Sequence, residues 1–182
     1  MNQKKIIVLE GPSGVGKDTV IHALIKKNPN KYQKIVSYTT REPRIGEIDG
    51  VTYYYIDEKT FQDKIKSGDV FEYTIRHGTY RGMSKQYIDS IINNGKIALK
   101  EADVVGLTAI KKMYKDQVVS IFITADKNVI KKRLIKRGDK DIDIRLADYD
   151  NVHKTKEKYD YIITNNGSVN EAVRKINKIL GD

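Results

Sequence analysis

Lys17 follows Gly11, Gly14 and Gly16 in the stretch GPSGVGK, one residue after the apolar run Ile6 to Leu9. The pattern G-x-x-x-x-G-K reads as a phosphate cradle when a strand precedes it and a helix follows. A glycine-rich turn in that place points several backbone N–H groups inward, and the helix N-terminus adds partial positive charge. Lys17 then brings a full charge to the β- and γ-phosphates, where negative charge must be held in the transition state of phosphoryl transfer. Gly11, Pro12, Ser13, Gly14, Val15, Gly16, Lys17, Asp18 and Thr19 are therefore the candidate ATP-phosphate loop. Asp18 stands where such loops place Ser or Thr. A carboxylate beside a polyphosphate is repelled unless a cation lies between them. Asp18 is thus either a magnesium ligand, direct or through water, or a complement to the positive helix start. The Thr19 hydroxyl is left to contact phosphate.

A second set of candidates lies in SYTTREPR, where Arg41 and Arg44 sit three apart and Pro43 prevents a regular helix. Two planar guanidinium groups on a pre-shaped loop suit a bidentate grip on a second phosphate. Tyr53, in the following GEIDGVTYYYI, offers a phenol to the same anion. A third set, Arg133, Arg137 and Arg145, falls in RLIKRGDKDIDIRL, two helical pieces about a polar centre at Gly138 to Asp141, the form of a mobile flap. His22, His77 and His153 have no spacing that suggests a metal site or a triad.

The elements that must position these groups follow from periodicity. Short β-branched runs alternate with helical patterns, the sequence form of a parallel sheet with crossover helices. Strands are expected at Ile6 to Leu9, Ile35 to Ser37, Ile97 to Glu101, Val119 to Ile123 and Tyr161 to Thr164. Helical stripes run through Val20, Ile21, Leu24 and Ile25, through Ile88, Ile91 and Ile92, and through Val173, Ile176, Ile179 and Leu180. Asp57 and Ser84 read as N-caps, Gly68 and Gly95 as helix ends. Ser37 to Gly82 breaks the rhythm: it holds one helix at most, several turn signals and the strand-forming VFEYTIRHGTYRG, a small antiparallel insertion.

At 182 residues the chain is the size of one domain. Its net charge of +10 attracts anions, but the 34 Lys and Arg are scattered, and no RNA-binding pattern accompanies them. Nucleic acid is therefore not expected as a partner. The absence of cysteine excludes disulfides and fits a reducing, cytoplasmic compartment. The apolar run Val118 to Ala125 is far short of the roughly 20 residues that span a bilayer, so no membrane is expected either.

Over essentially its whole length the chain resembles the guanylate kinases. The matching pieces are GPSGVGK, SYTTREPR, GEIDGVTY, VFEY, the EAD before Gly106, KRLIKRG, IDIRL and YDYIITN. The string T-T-R-x-P-R-x-G-E-x-x-G-x-x-Y is particular to that family. The resemblance implies an α/β fold of the P-loop NTPase type: a parallel sheet flanked by helices, a small inserted antiparallel subdomain that binds the nucleoside monophosphate, and a helical lid. One domain, 1–182, would divide into a core (1–36, 84–132 and 146–182), an insertion (37–83) and a lid (133–145). The implied reaction is in-line transfer from magnesium-bound ATP to GMP or dGMP, without a covalent enzyme intermediate. A monomer or homodimer is expected.

Carried over by position, the resemblance puts Ser37, Arg41, Arg44 and Tyr53 around GMP, with the arginines and tyrosine on its phosphate. Glu72 faces the guanine edge, where a carboxylate meets the N1–H and 2-amino donors. Glu101 and Asp103 fall near the acceptor and magnesium, Asn166 near adenine. Lys17, Arg41, Arg133, Arg137 and Arg145 gather round the transferring phosphoryl group. The chain departs from the family at Asp18, in a shorter lid between Gly138 and Ile142, and in Tyr80-Arg81-Gly82-Met83, where the family has Tyr-Tyr-Gly and then Ser or Thr. Arg81 and Met83 therefore stand among the GMP-binding positions, and Met83 cannot donate to guanine O6; Arg81 or Ser84 is left to replace that donor. A kinase for another nucleotide or a sugar phosphate, and a non-catalytic guanylate kinase-like binding module, remain as alternatives.

Overall fold

Ile6, Ile7, Val8 and Leu9 are all fully buried, as an uninterrupted apolar strand must be when helices cover both faces of its sheet. They form β1 (Ile6–Glu10) at the centre of a parallel sheet in the computed structural model, which describes residues 4–181. The outer limits of the expected 1–182 domain lie outside that range. β2 (Tyr32–Lys34), β7 (Ile97–Glu101), β8 (Val118–Thr124) and β9 (Tyr161–Thr164) complete the sheet in the order β2-β7-β1-β8-β9. Every pairing within it is parallel.

Alternate β1 residues serve opposite layers. Ile7 and Leu9 join Val20, Ile21 and Leu24 of α1 (Lys17–Lys27) and Val173 and Ile176 of α8 (Val169–Leu180). Ile6 and Val8 join Ile88 and Ile91 of α3 (Lys85–Asn93) and Leu107 and Ile110 of α4 (Val104–Tyr114). The three stripes read from periodicity are thus the faces that pack on the sheet. Among the described residues no helix is long and apolar enough to cross a membrane.

The second core strand is displaced from its expected place. The sequence favours Ile35 to Ser37, but the ladder pairs Tyr32, Gln33 and Lys34 with Ile97, Ala98 and Leu99. Ile35 donates one more bond, to Leu99 O at 2.8 Å, before the chain departs for the second sheet. Ile35 and Val36 are buried because they sit where the two sheets meet, so their apolar character reports burial and not pairing.

The second sheet comprises β3 (Tyr38–Thr39), β4 (Tyr54–Tyr55), β5 (Val70–Arg76) and β6 (Thr79–Ser84), in the order β4-β3-β6-β5. β3, β6 and β5 run antiparallel, while β4 adds to β3 in parallel. His77 and Gly78, with φ of 50° and 73°, close the β5–β6 hairpin, the positive pair that a two-residue turn requires. α2 (Glu58–Lys66) is capped by Asp57, which accepts from Thr60 N, and Ser84 caps α3 by accepting from Tyr87 N. Gly68 and Gly95 follow the two helices at φ of 75° and 73°. α5 (Lys127–Arg137) and α6 (Ile142–Ala147) are the two pieces of the charged segment, and Gly138 ends the first at φ 78°. α7 (Tyr149–His153) leads back to β9.

Candidate functional site

Ligands of open α/β sheets bind beyond the carboxyl ends of the strands, and the candidate residues converge there. Gly11 leaves β1 at φ 151°, so close to β8 that a Cβ would lie 1.9 Å from Ile123 O. Only glycine admits that approach. Val15 N closes a turn on Pro12 O at 3.3 Å, and Gly16 opens α1 from the left-handed region. Below the loop, buried Asn165 donates to Val15 O at 2.8 Å.

Lys17 does not extend freely into the cleft. Its ammonium donates to Gly11 O at 2.7 Å and Pro12 O at 3.3 Å and lies 3.2 Å from Glu101 Oε1. Asp18 is exposed in the first turn of α1, with Oδ1 3.3 Å from Lys34 Nζ. Thr19 is exposed beside it.

A cleft of about 730 Å³ opens in front of the loop, lined by Gly11, Lys17, Asp18, Ser37, Tyr53, Glu72, Arg81, Met83, Glu101 and Asp103 among others. This single space unites the phosphate loop with most of the expected acceptor residues. The second sheet supplies one wall through its alternation: Glu72 pairs with Met83 and Thr74 with Arg81, and cross-strand partners share a face. A register shift between Val70 and Glu72 sets that phase. Arg81 lies 4.8 Å over the Tyr53 ring. Asp103 carries a structural duty as well, capping α4 by accepting from Val105 N and Gly106 N at 3.0 Å.

Arg41 and Arg44 are not on the wall of this cleft. Arg41 lies 5.3 Å from the Tyr53 ring centroid and holds Glu47 in a two-pronged ion pair, 2.7 and 2.6 Å. Glu47 also accepts from Arg44 N and from the Tyr55 hydroxyl, both at 2.8 Å. The Arg41 fork, with the Arg44 N–H, holds the Glu47 carboxyl down at about 2. Glu47 thus fixes the arginine loop, a role that no periodicity signals.

The charged segment lies across the phosphate loop. Arg133 donates to Val15 O at 3.2 Å and Gly167 O at 3.3 Å, and Arg145 to Ser13 Oγ at 2.8 Å. Asp139, nearly buried, ties Arg137 (2.5 Å) to Arg145 (3.0 Å). Asn166 accepts from Asp126 N at 2.8 Å at the start of α5, so its side chain is engaged outside the cleft.

Two cleft residues escape sequence reasoning. Lys100, near the end of β7, donates to Ser37 Oγ at 2.5 Å, and burial with the nearby charge of Lys34 pulls its ammonium down to about 8. Glu10, the last residue of β1, has a buried Oε2 without a hydrogen-bond partner. Burial, then the charge of Asp103, pushes its carboxyl up to about 7 against the pull of Lys17.

A carboxyl whose folded pKa exceeds the ordinary 4.5 is bound more tightly to its proton in the fold. Stability is then lost as pH rises towards and through 7. Glu10→Gln removes that loss. The variant should melt about 2–4 °C above the wild type at pH 8.5, about 1 kcal/mol after solvent screening, and level with it at pH 5. A pH-independent difference in thermal melts would place the strain elsewhere.

Comparison with known proteins agrees with this geometry. The guanylate kinase family pattern matches residues 3–182. The guanylate kinase of Clostridium tetani is 34% identical over 99% of this chain and 86% of its own. That of Lactobacillus johnsonii is 36% identical over 98% and 89%. The crystal structure of guanylate kinase from Anaplasma phagocytophilum superposes with a TM-score of 0.69 at 29% identity, covering 96% of this chain and 83% of that one. With the glycine-rich loop and the second sheet opening onto one cleft, and relatives matched nearly end to end, the chain belongs to the guanylate kinase family.

Proposed function

We infer that this chain transfers the γ-phosphoryl group of ATP to GMP, giving ADP and GDP, and that dGMP is accepted too. The observation that carries the reading is the shared cleft: the phosphate loop and the Glu72 carboxylate open onto one space. Transfer needs the two substrates aligned and their charge neutralised, and no covalent enzyme intermediate. Loop amides and Lys17 take the donor phosphates, releasing Lys17 from the Gly11 and Pro12 carbonyls. Tyr53 and Arg81 face the acceptor phosphate, joined by Arg41 and Arg44 once that loop turns from Glu47 towards the cleft. Arg133, Arg137 and Arg145 close over the transferring group, which also excludes water.

In this reading residues 37–83 are the acceptor subdomain, 133–145 the lid, and the remainder the core. Magnesium enters with ATP. Such an ion is held by one or two carboxylates together with phosphate oxygens and water. The exposed Asp18 carboxylate and the unpartnered Glu10 Oε2 supply oxygen of the right kind at the mouth of the loop. Bound there, it would neutralise charge developing between the phosphates. The lack of cysteine supports a cytoplasmic site of action.

A coupled assay of ADP release with GMP, dGMP, IMP, AMP and a sugar phosphate tests the reading. GMP and dGMP should lead, IMP follow for want of the 2-amino donor, and AMP and the sugar phosphate stay near background. Faster turnover of the sugar phosphate than of GMP would overturn it.

A further inference from the structure

Guanine offers three groups in a row: the O6 acceptor, the N1–H donor and the 2-amino donor. Glu72 answers the donors. O6 needs a donor beside it, and the neighbouring wall does not provide one in the expected places. Met83, paired opposite Glu72, is 2% exposed and has no hydrogen to give. The Ser84 hydroxyl donates to Asp69 Oδ1 at 2.7 Å and accepts from Tyr87 N at 3.1 Å, so it is committed to the α3 cap. Arg81 is spread over the Tyr53 ring on the side assigned to phosphate.

Lys100, a charged donor that lines the same cavity, can take that place. On β7 it follows Ala98 on the face that packs with Ile35 and Met83, so its side chain rises past Met83 into the cleft. Its ammonium holds Ser37 Oγ at 2.5 Å, and both residues line the same cavity as Glu72. One ammonium has three donors, so the bond to Ser37 leaves others for a ligand.

We propose that Lys100 is the specificity residue that reads guanine O6, standing in for the hydroxyl that Met83 lacks. The proposal rests on the GMP reading of the cleft. Lys100 then presents a donor to O6, while the Glu72 carboxylate accepts from N1–H and the 2-amino group. The surrounding charges are felt at Glu72: burial raises its carboxyl most, Lys100 lowers it and Asp103 raises it. Adenine is refused twice, since its 6-amino group meets an ammonium and its N1 lone pair meets a carboxylate.

The test is a cycle of two acceptors, GMP and 6-thio-GMP, on the wild type and on Lys100→Met. The thio analogue keeps N1–H and the 2-amino group but replaces O6 with sulfur, a weak acceptor. On the wild type GMP should be favoured in kcat/KM by about 10- to 100-fold, the worth of a charged hydrogen bond, expressed mainly in KM. On Lys100→Met that ratio should fall towards one while the KM for ATP holds. A ratio preserved in Lys100→Met overturns the proposal. So does a wild-type ratio near one, which needs no variant to fold. Met83→Thr adds a check in the other direction: with O6 already served, GMP efficiency should not rise, and a tenfold gain would mean that Lys100 does not reach the base. Failure of the wild type to phosphorylate GMP at all would instead overturn the function.

Discussion

Lys17→Met should reduce kcat by at least about a thousandfold while leaving a folded protein that still binds GMP. The size follows from what the ammonium is positioned to do. It is the one full positive charge carried on the loop GPSGVGK, and a preorganised charge at developing negative oxygens contributes at least as much as an oxyanion donor. Met keeps the aliphatic stem and removes only the charge. The lost contacts are to Gly11 O, Pro12 O and Glu101, all at the rim of a cleft and not in the core. The melting temperature should therefore stay within about 4 °C of wild type. The KM for GMP should hardly move if Lys17 serves the donor side, as proposed. Steady-state kinetics with both substrates varied, beside a thermal melt, separates these outcomes. Turnover within tenfold of wild type would end the assignment of GPSGVGK as the donor cradle.

Much of this arrangement was legible in the sequence because it rests on local rules. Gly11, Gly14, Gly16 and Lys17 form a contiguous motif whose spacing is its geometry. The caps at Asp57 and Ser84 and the helix ends at Gly68 and Gly95 need only neighbouring backbone. The displaced second strand marks where local rules fail. Ile35 and Val36 look like a strand because they are apolar, yet they are buried by the junction of two sheets, which depends on β6 and α3 far along the chain. Charged residues were harder still. No spacing gives Glu47 or Asp139 an ion-pair partner, and only the folded chain brings Arg41 to one and both Arg137 and Arg145 to the other. Lys100 and Glu10 lie within apolar strand patterns, at the ends that emerge into the cleft. A strand pattern predicts burial there, and the chemistry comes from which strand ends meet. Asn165 and Asn166 are adjacent and chemically alike, but the bend that follows β9 sets the first under the phosphate loop and the second against the backbone of Asp126.

Glu72→Gln should cut kcat/KM for GMP by about 10²- to 10³-fold and raise that for AMP, so that selectivity between the two purines narrows by at least that factor. The carboxylate offers acceptors alone, which suits the adjacent donors of guanine and leaves adenine N1 facing a lone pair. A site built to satisfy such donors rejects an analogue lacking them by about 10⁴-fold or more, because a partly buried charge is left unpaired. The carboxamide presents one acceptor and one donor. Its NH2 group then opposes a guanine donor but pairs with adenine N1. Glu72 is placed for this contrast by its pairing opposite Met83, which aims it into the cleft beside Lys100 and Asp103. Burial raises its carboxyl above the ordinary 4.5, and Asp103 adds to that rise while Lys100 opposes it. As pH falls through that raised pKa, Glu72 gains a proton and becomes a donor, so the KM for GMP should climb at a higher pH than an unburied glutamate would give. The KM for ATP should not follow it, and in Glu72→Gln the climb should be absent. Measuring kcat/KM for GMP, IMP and AMP on both proteins between pH 5 and 8 tests the two parts together. A GMP-to-AMP ratio unchanged by the substitution would remove Glu72 from the base-reading position, and a GMP titration that survives in Glu72→Gln would assign that proton to another group in the cleft.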